Sequence, residues 1–71
     1  MKVIIKHRGR GRIRVQMAQP RMSLEQADLL ECYLQRPPQV IRASVHERTR
    51  CAIVEYQGSQ AEILRAFSRF S

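Results

Sequence analysis

Residues 40–56 read VIRASVHERTRCAIVEY, two stretches of alternating apolar and polar residues separated by the polar segment ERTR. Such alternation is typical of half-buried β-strands, and a four-residue connection is typical of a hairpin. We therefore predict antiparallel strands over 40–46 and 51–56, with His46 opposite Cys51 and Arg42 opposite Glu55 on the open face. The same register predicts three pairs on the buried face: Val45 with Ala52, Ala43 with Val54 and Ile41 with Tyr56.

A third strand is predicted over residues 12–17, where Ile13, Val15 and Met17 alternate with polar residues. The shorter apolar run at 3–5 is followed by Gly9 and Gly11, which favour a turn. We expect a short strand at 2–6 that folds back through this turn and lies beside the strand at 12–17.

The first predicted helix begins at Leu24. Ser23 is suited to cap its amino terminus, and Gln26 follows at the spacing of a capping box. Four apolar side chains share one helical face, and Pro37 and Pro38 stop the helix; the four are Leu24, Ala27, Leu30 and Leu34.

A second helix is predicted from Ser59 almost to the end of the chain. Ser59 and Glu62 repeat the capping-box spacing. Ile63, Phe67 and Phe70 then recur at the i, i+4 and i+7 positions of one face.

The predicted order is strand, helix, strand, strand, helix, preceded by the short amino-terminal strand. It indicates an α+β fold, a ferredoxin-like βαββα sandwich in which two helices cover one face of an antiparallel sheet. In this arrangement the strand at 2–6 would fill the place of the fourth strand. At 71 residues, the chain is expected to form a single domain over 1–71.

The chain is basic, with 13 Lys and Arg against 6 Asp and Glu and a formal net charge of +7. This balance favours an anionic partner: nucleic acid, an acidic lipid surface or an acidic protein. Six of the basic residues occupy the first fourteen positions without an acidic residue among them. The candidate contacts with such a partner are Arg8, Arg10, Arg12, Arg14 and Arg42.

Cysteine use and hydropathy favour a cytoplasmic location. Cys32 and Cys51 are too few for a secreted disulfide scaffold, and no apolar run approaches the roughly 20 residues that span a bilayer. The chain also contains no arrangement of nucleophile, base and orienting residue, and no glycine-rich phosphate loop follows a strand. We therefore expect a domain that is not an enzyme by itself.

Four segments resemble a known family: Gly11 to Val15, Pro38 to Val45, Ile53 to Tyr56 and the closing helix at 59–70. From Gly11 to Phe67, about four-fifths of the chain, they resemble the heavy-metal-associated domain, in the divergent form found at the amino terminus of bacterial metal-transporting P-type ATPases. The resemblance implies a cytosolic accessory or regulatory domain of an inner-membrane protein, which contacts other domains of a parent ATPase.

The resemblance also implies where a metal would bind. In the metal-carrying members two cysteines lie in the loop between the first strand and first helix, where thiolates hold Cu(I) or Zn(II). Here Gln19 and Met22 stand at those positions, so the family's ligands cannot be transferred to this chain. The accessory role without a conventional metal site is the leading prediction.

Two pairs of residues keep an unconventional metal-binding or metal-chaperone role open. Met17 and Met22 flank the loop and offer thioethers for Cu(I), although methionine more often fills gaps in a core. His46 and Cys51 offer an imidazole and a thiol, although an exposed cross-strand pair is the ordinary interpretation. Cys32 is expected to pack in the first helix.

A small basic nucleic-acid-binding protein is the third hypothesis. The glycine-spaced arginines at 8–12 resemble segments that follow phosphate backbones. Sheets that recognise RNA stack bases on exposed aromatic residues, whereas Tyr56 is predicted on the buried face. Nucleic acid is therefore a less favoured partner than an acidic protein or lipid surface.

Overall fold

The computed structural model describes residues 1–70 as a small α+β fold, with a four-stranded antiparallel sheet and two α-helices. The strand order is β1-β2-β4-β3. Within residues 1–70, no helix has both the length and the apolar character needed to cross a bilayer. The elements are β1 (Val3–Gly9), β2 (Arg12–Met17), α1 (Leu24–Leu34), β3 (Val40–His46), β4 (Cys51–Tyr56) and α2 (Gln60–Arg69).

The amino-terminal strand folds back on β2 as the two glycines predicted. Gly9 pairs with Arg12 across a short turn, and Gly11 has a φ of +70° there. The Tyr56 amide donates to the Gly11 carbonyl at 2.9 Å, which ties the turn to the end of β4. Strand β1 is longer than the predicted strand at 2–6, and its register shifts between Ile5 and His7.

The hairpin of β3 and β4 confirms most of the predicted register. His46 pairs with Cys51 and Arg42 with Glu55. The predicted pairing of Ile41 with Tyr56 is wrong, because the register shifts at this point and Val40 lies opposite Tyr56. An extra residue in one strand interrupts the alternation of faces, and Ile41 is consequently 64% exposed.

The hydrophobic core lies between the sheet and the two helices. On α1, Leu24 is 62% exposed, although the sequence pattern predicts it on the buried face. Side chains on a helix tilt toward its amino terminus, so a first-turn residue points past the end of the packed face. The buried residues are Ile13, Val15, Met17, Met22, Ala27, Leu30, Leu34, Ala43, Ala52, Val54, Tyr56, Ile63 and Phe67.

Only the first of the two predicted capping boxes forms. The Gln26 amide donates to Ser23 Oγ at 3.0 Å, and the Gln26 side chain accepts from the Ser23 amide in return. Ser59 makes no side-chain cap hydrogen bond at the start of α2. Glu62, its expected partner, instead accepts a hydrogen bond from Gln39 Nε2 at 2.7 Å.

Side chains of α1 and of its C-cap residue, Gln35, cover part of the outer edge of β3. Glu31 Oε1 accepts from the Val45 amide at 2.9 Å, and Gln35 Nε2 donates to the Ala43 carbonyl at 3.2 Å. These bonds satisfy backbone groups that an edge strand otherwise offers to another chain. Helix α1 thus protects this edge as well as packing on the sheet.

Candidate functional site

The loop at 17–23, which begins at the last residue of β2 and ends before α1, stands where the resemblance implies a metal site. Arg50, in the β3–β4 turn, binds this loop through two hydrogen bonds. The Met17 amide donates to the Arg50 carbonyl at 2.8 Å, and Arg50 Nη1 donates to the Gln19 carbonyl at 2.7 Å. Arg50 adopts this position with a φ of 57°, a region that non-glycine residues rarely occupy. The loop is therefore fixed by specific contacts.

The side chains at the two implied ligand positions are already engaged. Gln19 Nε2 donates to the Arg21 carbonyl at 2.7 Å and to Gln26 Oε1 at 3.2 Å. Met22 is 7% exposed and belongs to the hydrophobic core. Gln26 also closes the capping box of α1. Gln26 thus connects the hydrogen bonds of the loop to the capping box at the start of α1.

The donors of this loop do not suit the ion that the resemblance implies. Met17 is fully buried and packs, like Met22, within the core cluster. Neither residue carries a thiolate, and two thioethers among hydrocarbon lack the charge that stabilises a bound cation. Within residues 1–70, no group of three or more His, Cys, Asp or Glu side chains is placed to hold a metal ion.

The face of the sheet opposite the helices, here called the open face, carries most of the other candidate residues. Ile13, Val54 and Ala43 are buried on the helix side of the sheet. Because side chains alternate along a strand, the residues next to them in the sequence lie on the open face. The strand pairings then order those neighbours into three rows. The rows are Arg12, Glu55 and Arg42; His7, Arg14, Ile53 and Ser44; and Ile4, Gln16, Cys51 and His46.

The five predicted anion contacts do not form one surface. Arg12, Arg14 and Arg42 lie together on the open face, with Glu55 between Arg12 and Arg42. Arg8 pairs with Ile13 and so shares the helix side of the sheet at its outer edge, whereas residue 10 lies in the β1–β2 turn. Three arginines and one glutamate leave the open face basic.

The His46 and Cys51 pair has the predicted register. His46 is exposed, Cys51 is half-buried, and Cys51 Sγ lies 3.6 Å from the Thr49 carbonyl. His7 lies in another row, on the strand at the far side of the sheet. Cys32 is exposed on α1, which corrects the expectation that it packs in the core.

The sequence pattern does not predict two features of the structure. Arg50 lies in a polar turn by sequence, and the contacts that give it a role depend on the loop at 17–23. Arg36, Arg65 and Arg69 line one groove beside Tyr33. The i, i+4 spacing of Arg65 and Arg69 is visible in the sequence, but the approach of residue 36 is not.

Comparison of the chain with protein-family models, with curated proteins and with solved structures finds no significant match.

Proposed function

We propose that this chain is a non-catalytic, cytosolic accessory domain of the heavy-metal-associated type, which regulates a heavy-metal-translocating P-type ATPase through protein contacts. The observation that carries the proposal is the closed loop at 17–23. By the resemblance it corresponds to a metal loop, but Met17 and Met22 are buried in the core and Gln19 is held by hydrogen bonds. In this proposal the loop stabilises the fold and does not bind a metal ion.

The order of the elements supports assignment to the ferredoxin-like class within this proposal. Helix α1 connects β2 and β3, which lie on either side of β4 and are both antiparallel to it. A helix that joins two strands on either side of a third is compatible with the split βαβ arrangement of that class. Strand β1 lies beside β2 and takes the edge that a fourth strand would otherwise fill.

The open face is the proposed contact surface. Arg12, Arg14 and Arg42 give it positive charge, while Ile4 is 51% exposed and Ile53 is half-buried beside them. Exposed apolar groups ringed by charge are common where proteins meet. An acidic surface on another domain of the parent ATPase fits this character, and an acidic protein or an anionic lipid surface fits its charge.

Nucleic acid fits the open face less well. Tyr56 is 5% exposed and faces the helices. Within residues 1–70, no strand residue on the open face is aromatic. Sequence-specific RNA-binding sheets need such side chains as stacking platforms. A basic surface of this kind would bind phosphates without selecting bases.

A test in the cell compares two double substitutions that remove equal charge. Arg12→Gln with Arg14→Gln should alter metal resistance and efflux as deletion of residues 1–71 does, because it weakens the contact surface. Arg65→Gln with Arg69→Gln removes the same charge away from the sheet and should leave transport near wild type. If deletion of residues 1–71 leaves transport and its metal dependence unchanged, the accessory role is wrong.

A titration of the reduced protein separates this proposal from the metal-carrier alternative, which the pairing of His46 with Cys51 keeps open. Because two ligands from one chain hold zinc poorly, we expect Cu(I) and Zn(II) to leave the amide shifts of residues 17–23 and 46–51 unchanged. Stoichiometric shifts that disappear in the Cys32→Ser, Cys51→Ser variant would instead identify a carrier, with further ligands from a second copy.

A further inference from the structure

A groove on the helix side of the molecule gathers three arginines that the proposed function does not use. Arg36 follows the end of α1, while Arg65 and Arg69 lie one turn apart on α2. With Tyr33 and Glu62 they line a cavity of about 350 Å³. This volume is at the lower end of the range for small-molecule sites.

The charge of the groove favours an anion. Its described lining contains three arginines and one carboxylate, Glu62, which accepts a hydrogen bond from Gln39 Nε2 at 2.7 Å. Like charges at i and i+4 repel each other, so Arg65 and Arg69 disfavour the free helix slightly. An anion between them would remove that cost. The guanidinium group also matches phosphate oxygens with two parallel hydrogen bonds.

Interaction with the helix dipoles explains only part of this arrangement. Cations near the carboxyl end of a helix are stabilised by the partial negative charge there. Arg69 is the last residue of α2 and Arg36 lies just beyond α1, so both satisfy that rule. Arg65 lies inside α2, one turn earlier, and has no such explanation.

The groove also contains an aromatic wall. The Tyr33 ring packs against Phe70 with centroids 5.4 Å apart and planes tilted by 52°. The Arg36 guanidinium carbon lies 6.0 Å from the Tyr33 centroid, at the outer limit of a cation–π contact. Tyr33 is therefore supported by Phe70 while it lines the cavity, which suits it to contact a planar ring.

We propose that this groove binds a small phosphorylated molecule with a planar ring, of the mononucleotide class. Arg65 and Arg69, with Arg36, receive the phosphate, and Tyr33 contacts the ring. The groove is separate from the open face, so this site is independent of the proposed contact with an ATPase. It requires only the packing of α1 beside α2.

Titration with AMP, adenosine and inorganic phosphate at constant ionic strength tests this proposal through amide shifts of the whole chain. We expect saturable shifts with AMP at residues 33–39 and 62–69, and weaker binding of adenosine and of phosphate alone. Arg65→Gln with Arg69→Gln should raise the Kd for AMP at least about tenfold, because charge-assisted hydrogen bonds are lost. Tyr33→Leu should raise it about fivefold or more through lost stacking.

The control is Arg12→Gln with Arg14→Gln, which removes the same charge from the open face and should change the Kd less than about threefold, since exposed charges at a distance are screened. An equal loss of affinity in both double variants would mean that only net charge matters. The proposal would also be overturned if AMP gives no saturable shift, or if inorganic phosphate binds as tightly as AMP. Preserved amide dispersion in each variant verifies that the fold is intact.

Discussion

Gly11 is the residue at which backbone conformation and close packing coincide. Its φ is +70°, and a Cβ at this position would lie 3.1 Å from the Tyr56 carbonyl oxygen. Gly58 has a similar φ of +87°, but nothing lies within 4 Å of the place its Cβ would take. Substituting each glycine by alanine therefore distinguishes two contributions to stability: the free-energy cost of a left-handed backbone, present at both positions, and the cost of steric crowding, present only at Gly11.

We predict that Gly58→Ala lowers the free energy of unfolding by about 1 kcal/mol, the cost of a left-handed alanine. Gly11→Ala should lower it by about 2 kcal/mol or more, because the crowded neighbour is backbone and cannot rotate away. Urea denaturation of both variants measures the difference. Equal losses would show that the β1–β2 turn moves away from Tyr56 at little cost.

At the scale of the elements, the two helices start differently despite the same capping-box spacing. Ser23 Oγ accepts from the Gln26 amide, whereas Ser59 makes no side-chain cap hydrogen bond and the Glu62 carboxylate accepts from Gln39 instead. We predict that Ser23→Ala costs about 1 kcal/mol of stability and Ser59→Ala less than about 0.5 kcal/mol. Thermal unfolding of the two variants checks this order, and a larger loss at Ser59 would contradict it.

For the whole molecule, charge is unevenly distributed. Three of the six acidic residues lie on α1, namely Glu25, Asp28 and Glu31, whereas arginines dominate the open face and the groove of Arg36, Arg65 and Arg69. A net charge of +7 on 71 residues makes self-repulsion a cost of the compact state. Salt should therefore stabilise this protein by screening that repulsion.

We predict that raising NaCl from about 0.01 M to about 0.15 M increases the Tm, because the Debye length falls from about 30 Å to about 8 Å. The Arg12→Gln, Arg14→Gln variant carries two fewer positive charges and should gain less from the same salt. Calorimetry of both proteins measures the change. A Tm that falls with salt would mean that attractive pairs outweigh repulsion.

Much of the fold was predictable because its signals are local. Strands β2, β3 and β4 follow period-two alternation, and α1 begins at the capping box of Ser23. The exposures of Ile41, Leu24 and Cys32 were predicted wrongly. Each lies on an element whose type was predicted, but its exposure depends on a bulge, a helix end or the direction of a helix face.

Local sequence patterns alone specify the kind of each element, the hairpin register from Arg42 to His46, and the absence of a thiolate pair at Gln19 and Met22. Tertiary packing brings Arg50 to the loop at 17–23, separates Arg8 from the open face, and places Arg36 beside α2. Periodicity and capping act within a few residues, whereas these contacts join side chains whose separation is set by packing of the sheet and helices.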